Sequence, residues 1–173
     1  MPEITIATPK DFPRVRAFYH SVIDEMQHLP AFPYWEKNIY PTDESLRGYI
    51  DRRELRLIVI DGEIAAAAAL GGGLDAGGAI DWPSGAAENE HASVNMVAVH
   101  PHYAHRGLAK QLILHFQTLA RERDLRALRL DVTDNNIPAQ QLYAGLGFQY
   151  VDEMTEIYDD GSSIRFFLYE YIL

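Results

Sequence analysis

The chain contains no cysteine. That absence excludes disulfides, zinc–cysteine sites and a thiol nucleophile, and it suits a reducing cytosol. Any thiol chemistry must come from a cofactor. Positive charge is scarce: 15 Lys and Arg stand against 25 Asp and Glu, a formal charge of −10. So acidic a chain is a poor nonspecific nucleic-acid binder, because that mode needs cations to neutralise phosphates. The acidity suits a cationic acceptor such as an amine, or serves solubility alone. Long hydrophobic runs are missing as well. No apolar stretch approaches the roughly 20 residues that span a bilayer. The opening Met1-Pro2-Glu3-Ile4-Thr5 has no basic or apolar stretch of a secretory signal. The expectation is a cytoplasmic protein with no membrane and no nucleic-acid partner.

What is present is ample apolar material: 47% of 173 residues, enough for one domain over residues 1–173 with a sizeable core. Ile4 to Ala7 alternates like a short strand. Thr8, Pro9 and Asp11 make a helix start, and Phe12, Val15, Phe18, Tyr19, Val22, Ile23 and Met26 fall on one helical face. Leu29 to Pro41 is rich in proline and aromatics and reads as an ordered loop. Thr42 opens a shorter helix to about Asp51. Leu55 to Ile60 reads as a strand, followed by the hairpin signal Asp61-Gly62. Ile64 to Leu70 holds five consecutive alanines. Propensity favours a helix there, but the turn before it and the glycines after it leave room only for a strand. Gly71 to His91 is Gly-rich and reads as a mobile irregular loop.

The second half alternates more regularly. Val94 to Val99 is a strand closed by Pro101. Leu108, Leu112, Ile113, Phe116, Leu119 and Ala120 form a second helical face. Ala127 to Val132 is a strand, Pro138 to Leu146 a helix stopped at Gly147, and Gln149 to Tyr158 and Ser163 to Leu173 are two more strands. The order βααβββαβαββ defines a mixed α/β domain. The Asp61-Gly62 hairpin and the lack of a Gly-x-Gly-x-x-Gly run argue against a doubly wound nucleotide fold.

Two stretches carry chemistry. Pro101 to Ala109 leaves a strand and opens a helix, where unpaired N–H groups and a partial positive charge accumulate. Gly107 and Ala109 let a pyrophosphate approach closely, and His105, Arg106 and Lys110 supply local charge. A plain strand-to-helix turn would look the same. The second stretch runs from Asn136 to Phe148. Asn136 is either an N-cap or a partner for a peptide-like ligand arm. Tyr143 is either a core residue or a proton donor. Right-handed strand–helix–strand geometry brings both helix starts to one end of the sheet. His100, His102 and His105 lack the further ligand that zinc wants. Asp131 to Asn136 lacks the Gly and Glu of a calcium loop. No metal is expected.

Together these residues resemble the GNAT superfamily of acetyl-CoA-dependent N-acetyltransferases. Val99-His100-Pro101 precedes Ala104-His105-Arg106-Gly107-Leu108-Ala109, similar to the family's Gln/Arg-x-x-Gly-x-Gly/Ala loop. Asn136 through Phe148 matches its Asn-x-x-Ala-x-x-Leu-Tyr-x-x-x-Gly-Phe run. The resemblance is close over Val94 to Val151 and extends more weakly along the chain. It implies a mixed sheet with splayed central parallel strands and acetyl-CoA as cosubstrate. It implies that amides from Ala104 to Ala109, with Lys110 beside them, bind the pyrophosphate, and that Asn136 contacts the pantetheine arm. Ala104 stands where the family usually has Gln or Arg; either Arg106 supplies the missing charge or coenzyme affinity is weaker.

The implied reaction is direct attack of a primary amine on the thioester in a ternary complex. Amides around Val97, Ala98 and Val99 would stabilise the oxyanion, and Tyr143 would protonate the leaving thiolate. Some relatives use a carboxylate base on the fourth strand, where this chain has Ser93. Glu90 and His91, just upstream, become base candidates acting through water, unless both are solvated loop residues. Phe32, Tyr34, Trp35 and Tyr40 would wall the acceptor pocket, with Trp82 and the turn around Tyr158 to Asp160 opposite, or these aromatics fill a satellite core. Glu36 would suit a cationic amine. The acceptor is a small-molecule or peptide amine. The alternative is a noncatalytic acyl-CoA-binding module. Phe166 to Leu173 is long and apolar enough to pair across a homodimer.

Overall fold

The computed structural model describes residues 2–72, 74 and 80–173. It is an α/β fold with four helices and a seven-stranded mixed sheet ordered β1-β2-β3-β4-β5-β7-β6. The strands are β1 Ile4–Ile6, β2 Leu55–Ile60, β3 Glu63–Gly71, β4 His91–Val99, β5 Ala127–Thr133, β6 Gln149–Ile157 and β7 Ser163–Ile172. The helices are α1 Phe12–Met26, α2 Asp43–Asp51, α3 Leu108–Glu122 and α4 Ile137–Gly145. The chain divides into two compact units, each built from two segments.

The first unit comprises Met1–Gly71 and Val94–Ile113. Asp61 and Gly62 both take positive φ, 51° and 86°, the geometry of a two-residue hairpin, and Ile60 pairs with Glu63 across it. The five alanines form part of β3 and are all 0% exposed. Ala67 and Ala69 join the core made with α1, α2, β2, Met96 and Ala98. Burial on both faces of the strand erased the alternation that would otherwise have marked it. The α-helix itself begins at Phe12, after a 3-10 turn over Pro9–Asp11, a turn later than the Thr8–Pro9 signal suggested. Thr42 caps α2, its Oγ1 accepting from the Ser45 N–H at 3.0 Å.

The second unit comprises Gly72–Ser93 and Leu114–Leu173. Here β4 starts at His91, three residues before the apolar run, because His91, Ala92 and Ser93 pair in parallel with Ala127, Leu128 and Arg129. Gly147, at φ 90°, reverses the chain after α4. A Cβ there would lie 3.1 Å from the Tyr171 ring. The C-terminal strand β7 lies between β5 and β6, bonded to both. It has no vacant edge, so the expected pairing of Phe166 to Leu173 across a dimer is corrected: the edge strand is β6. Part of the Gly71 to His91 loop lies outside the described residues. What is described ends in a short turn over Glu88–Glu90. Among the described residues, no helix is long and apolar enough to cross a membrane.

Candidate active site

In the first unit, the chain leaves β4 at Val99, and the His100 N–H donates to the Ala65 carbonyl at 2.9 Å. A 3-10 turn over Pro101–Tyr103 follows. His105 and Gly107 then take positive φ, 62° and 74°. Left-handed residues on either side of Arg106 turn successive N–H groups to one side, forming an anion-binding nest. The Gly107 carbonyl accepts from the Gln111 N–H at 3.0 Å, so Gly107 caps the 15-residue helix α3. Among the described residues, no backbone acceptor takes the N–H groups of His105, Arg106, Gly107, Leu108, Ala109 or Lys110. The Ala104 N–H, which the sequence placed in the same set, donates to the Pro101 carbonyl at 3.0 Å and drops out of it. A Cβ on Gly107 would meet nothing within 4 Å, so there is open space where a phosphate would approach. His105, Arg106 and Lys110 are exposed, with the Arg106 guanidinium 5.2 Å from the Tyr103 ring centre. This array fits a pyrophosphate.

Further back in the same unit, Met96 is in the left-handed region inside a strand, at φ 53°. Its carbonyl accepts a 2.7 Å hydrogen bond from the buried Tyr19 hydroxyl, whose pKa burial pushes well up. Such an irregularity re-aims the groups that follow it, here Val97, Ala98 and Val99. Val97 and Val99 are half-buried and Ala98 is buried. Sequence reading placed Tyr19 on the apolar face of α1, and nothing in its spacing announced the hydrogen bond.

Around the aromatic loop, Phe32 is only 7% exposed and packs in the core cluster. Trp35 packs among Tyr19, Phe32 and Tyr40, each ring centre 6.0 Å away. Tyr34 and Tyr40 are exposed.

In the second unit, Asn136 caps α4, its Oδ1 accepting from the Ala139 N–H at 3.3 Å. Tyr143 lies on α4, 6% exposed, its ring 5.9 Å from that of Phe148. Burial, and then the carboxyl of Asp131, push its phenol above the ordinary tyrosine value. The side chain is held neutral.

The two base candidates are tied down. Glu90 accepts from the Ala87 N–H and from Arg126 Nη1, both at 2.9 Å. The Ala87 bond first and the Arg126 bond next hold its carboxyl below the usual range, which makes it a weak base. His91 holds the Ala87 carbonyl through Nδ1 at 2.9 Å, and Arg129 Nη1 lies 3.3 Å from both ring nitrogens.

Arg129 is itself a centre that the sequence reading missed. It is 5% exposed, donates from Nε to the Glu170 carboxylate at 3.0 Å and from Nη2 to the Ala86 carbonyl at 3.1 Å. Its guanidinium lies 4.4 Å from the centre of the Trp82 ring. Trp82 therefore braces a buried ion pair. Ser84 completes the network, donating to Glu170 from its N–H at 2.8 Å and from its hydroxyl at 2.6 Å. The clue was two charged residues, Arg129 and Asp131, inside an otherwise apolar strand.

The fold and this loop-to-helix array define an acyltransferase. Residues 16–148 match the model of the Acetyltransferase (GNAT) family, and the chain belongs to that family. It is 26% identical over 145 residues to streptothricin acetyltransferase of Streptomyces lavendulae, covering 80% of this chain and 69% of that protein. Its fold is similar to that of a GNAT-family acetyltransferase from Streptococcus pneumoniae, with a TM-score of 0.75, 19% identity and all of both chains covered. It is also similar to the yncA protein of Salmonella typhimurium, solved with its cofactor acetyl-CoA. That match has a TM-score of 0.72 and 21% identity over 100% of this chain and 94% of the other.

Proposed function

We propose that this enzyme moves the acetyl group of acetyl-CoA to a primary amine by direct attack in a ternary complex. The observation that carries the reading is the run of amides from His105 to Lys110 with no backbone acceptor at the start of α3. Family membership and the acetyl-CoA found in the Salmonella typhimurium protein support it.

When bound, the cosubstrate supplies an activated thioester. The amides of His105 through Ala109 hold its pyrophosphate, with Arg106 and Lys110 adding charge. Asn136 takes the pantetheine arm. The amides around Val97 to Val99 receive the developing oxyanion. Tyr143 gives its proton to the departing sulfur. That transfer need not be complete before the sulfur departs, since a thiolate with a pKa near 8.5 leaves fairly well unaided. His91, acting through water, remains the better of the two upstream base candidates, because the Ala87 and Arg126 bonds hold the Glu90 carboxyl below its usual range. Tyr34, Trp35 and Tyr40 contribute to the acceptor pocket. The name of the Streptomyces lavendulae relative makes a cationic antibiotic-type amine a sensible first probe.

Calorimetry with acetyl-CoA, followed by an amine panel read as free thiol, tests the reading. Micromolar binding and amine-dependent thiol release are expected. Binding without release would assign the chain to a noncatalytic acyl-CoA-binding module. An absence of binding would end both readings.

A further inference from the structure

Asp131 and Thr133 stand two residues apart on β5, so their side chains leave the same face of the strand. The register sets Asp131 opposite Leu168 and Thr133 opposite Phe166 of β7. Thr133 is 3% exposed, and its Oγ1 has no hydrogen-bond partner. The Asp131 carboxylate is half-buried and, among the described residues, is bonded only by its own backbone N–H. Among the described residues, no cation pairs with it. The nearby arginines are committed elsewhere: Arg129 to Glu170, Arg126 to Glu90 and Arg165 to Asp134. The ionisable groups that face it are Glu156 on β6 and the Tyr143 phenol on α4, while β7 presents the apolar Leu168. Neither ionisable neighbour is positive, and Glu156 opposes the charge.

A half-buried carboxylate without a cation and a buried hydroxyl without a partner both cost free energy in the unliganded protein. Side by side on one strand face, they ask for the same thing: a compact positive group with several N–H donors. An ammonium has three. A carboxylate, phosphate or neutral apolar ligand would leave one or both groups worse placed. We propose that Asp131 and Thr133 form the seat of the acceptor's ammonium group, with Asp131 as counter-ion and Thr133 Oγ1 as second acceptor. The seat selects acceptors that arrive as cationic primary amines. This rests on the acetyltransferase reading above and names the group that recognises its second substrate.

The test compares Asp131→Asn and Thr133→Val with the wild type, using streptothricin, spermidine and glycinamide as amine probes. For the probe turned over best, Asp131→Asn is expected to lower kcat/KM by roughly 10- to 100-fold, mainly through KM, the range for a lost hydrogen bond to a charged group. Thr133→Val lowers it less. The affinity for acetyl-CoA, measured by calorimetry, stays unchanged in both. Both variants keep or raise the melting temperature, by up to about 2–4 °C, because Asp131→Asn removes a charge that has no cation and Thr133→Val removes a hydroxyl that has no partner. A structural role would move melting the other way. An unchanged kcat/KM in Asp131→Asn overturns the seat, as does a drop in melting temperature accompanied by an equal loss of acetyl-CoA affinity. Failure of the wild type to bind acetyl-CoA strikes the underlying reading instead.

Discussion

The Tyr19 hydroxyl on α1 donates a 2.7 Å hydrogen bond to the carbonyl of Met96, which alone among the described residues of β4 has positive φ. A helix side chain thus satisfies the backbone group that a regular ladder would have paired. Tyr19→Phe keeps the ring and its packing but leaves that carbonyl buried without a donor. The expected loss is about 1–3 kcal/mol, read as a lower urea midpoint at unchanged m-value. Turnover should fall as well, since Val97 to Val99 take their aim from this irregularity. A variant with the wild-type midpoint would show that water or relaxation replaces the bond.

Arg129 and Glu170 face each other across β5 and β7, 5% and 1% exposed. Desolvating such a pair consumes most of what their attraction returns, whereas removing one partner strands the other. Arg129→Met should therefore cost about 3–5 kcal/mol, although Ser84 still bonds the carboxylate. Adding Glu170→Leu to it should recover most of that loss. Urea titration of the two variants separates a structural pair, which shows this recovery, from an incidental one, which shows little loss in the first.

Tyr143→Phe should slow turnover near the low end of the 10²–10⁴ range, about 10²-fold, and leave acetyl-CoA affinity intact. The pH dependence follows from the direction of its shift. Burial raises the phenol's folded pKa above its unfolded value of about 10. Its contribution to stability is then fully present below about pH 10 and is lost as pH rises through the folded value. The donor stays protonated throughout the neutral range, so Tyr143 adds no alkaline limb to kcat below about pH 10. Wild-type turnover in the phenylalanine variant would return Tyr143 to a packing role.

The elements were largely legible because their signals are local. Asp61-Gly62 can only turn the chain, Thr42 caps α2, and the spacing from Phe12 to Met26 is helical. Position, against propensity, made the alanine run a strand, and the structure agrees. What escaped the sequence was long-range. Phe32 looked like its exposed neighbours Tyr34 and Tyr40, and only packing against Trp35 and the core separates it from them. Trp82 and Arg129 are 47 positions apart, and no periodicity connects them. The central place of β7 depends on which strand reaches β5 first, a matter of topology. An edge strand and an interior strand can share one apolar composition.

The coenzyme loop offers the sharpest separation of binding from folding. Arg106 is exposed and lies over the Tyr103 ring, so Arg106→Ala should leave the melting temperature nearly unchanged. If its charge replaces the one that Ala104 does not supply, acetyl-CoA affinity should drop by roughly tenfold, about 1.4 kcal/mol, and the difference should shrink as salt rises. Gly107→Ala behaves differently. At φ 74° an alanine is strained by about 1–2 kcal/mol whatever the surrounding space, so this variant should lose both stability and affinity. Its methyl would occupy the open position over the nest, and its affinity loss should therefore persist at high salt. Calorimetry at two salt concentrations distinguishes the two effects. Wild-type acetyl-CoA affinity in both variants would mean that the pyrophosphate is gripped elsewhere on the chain.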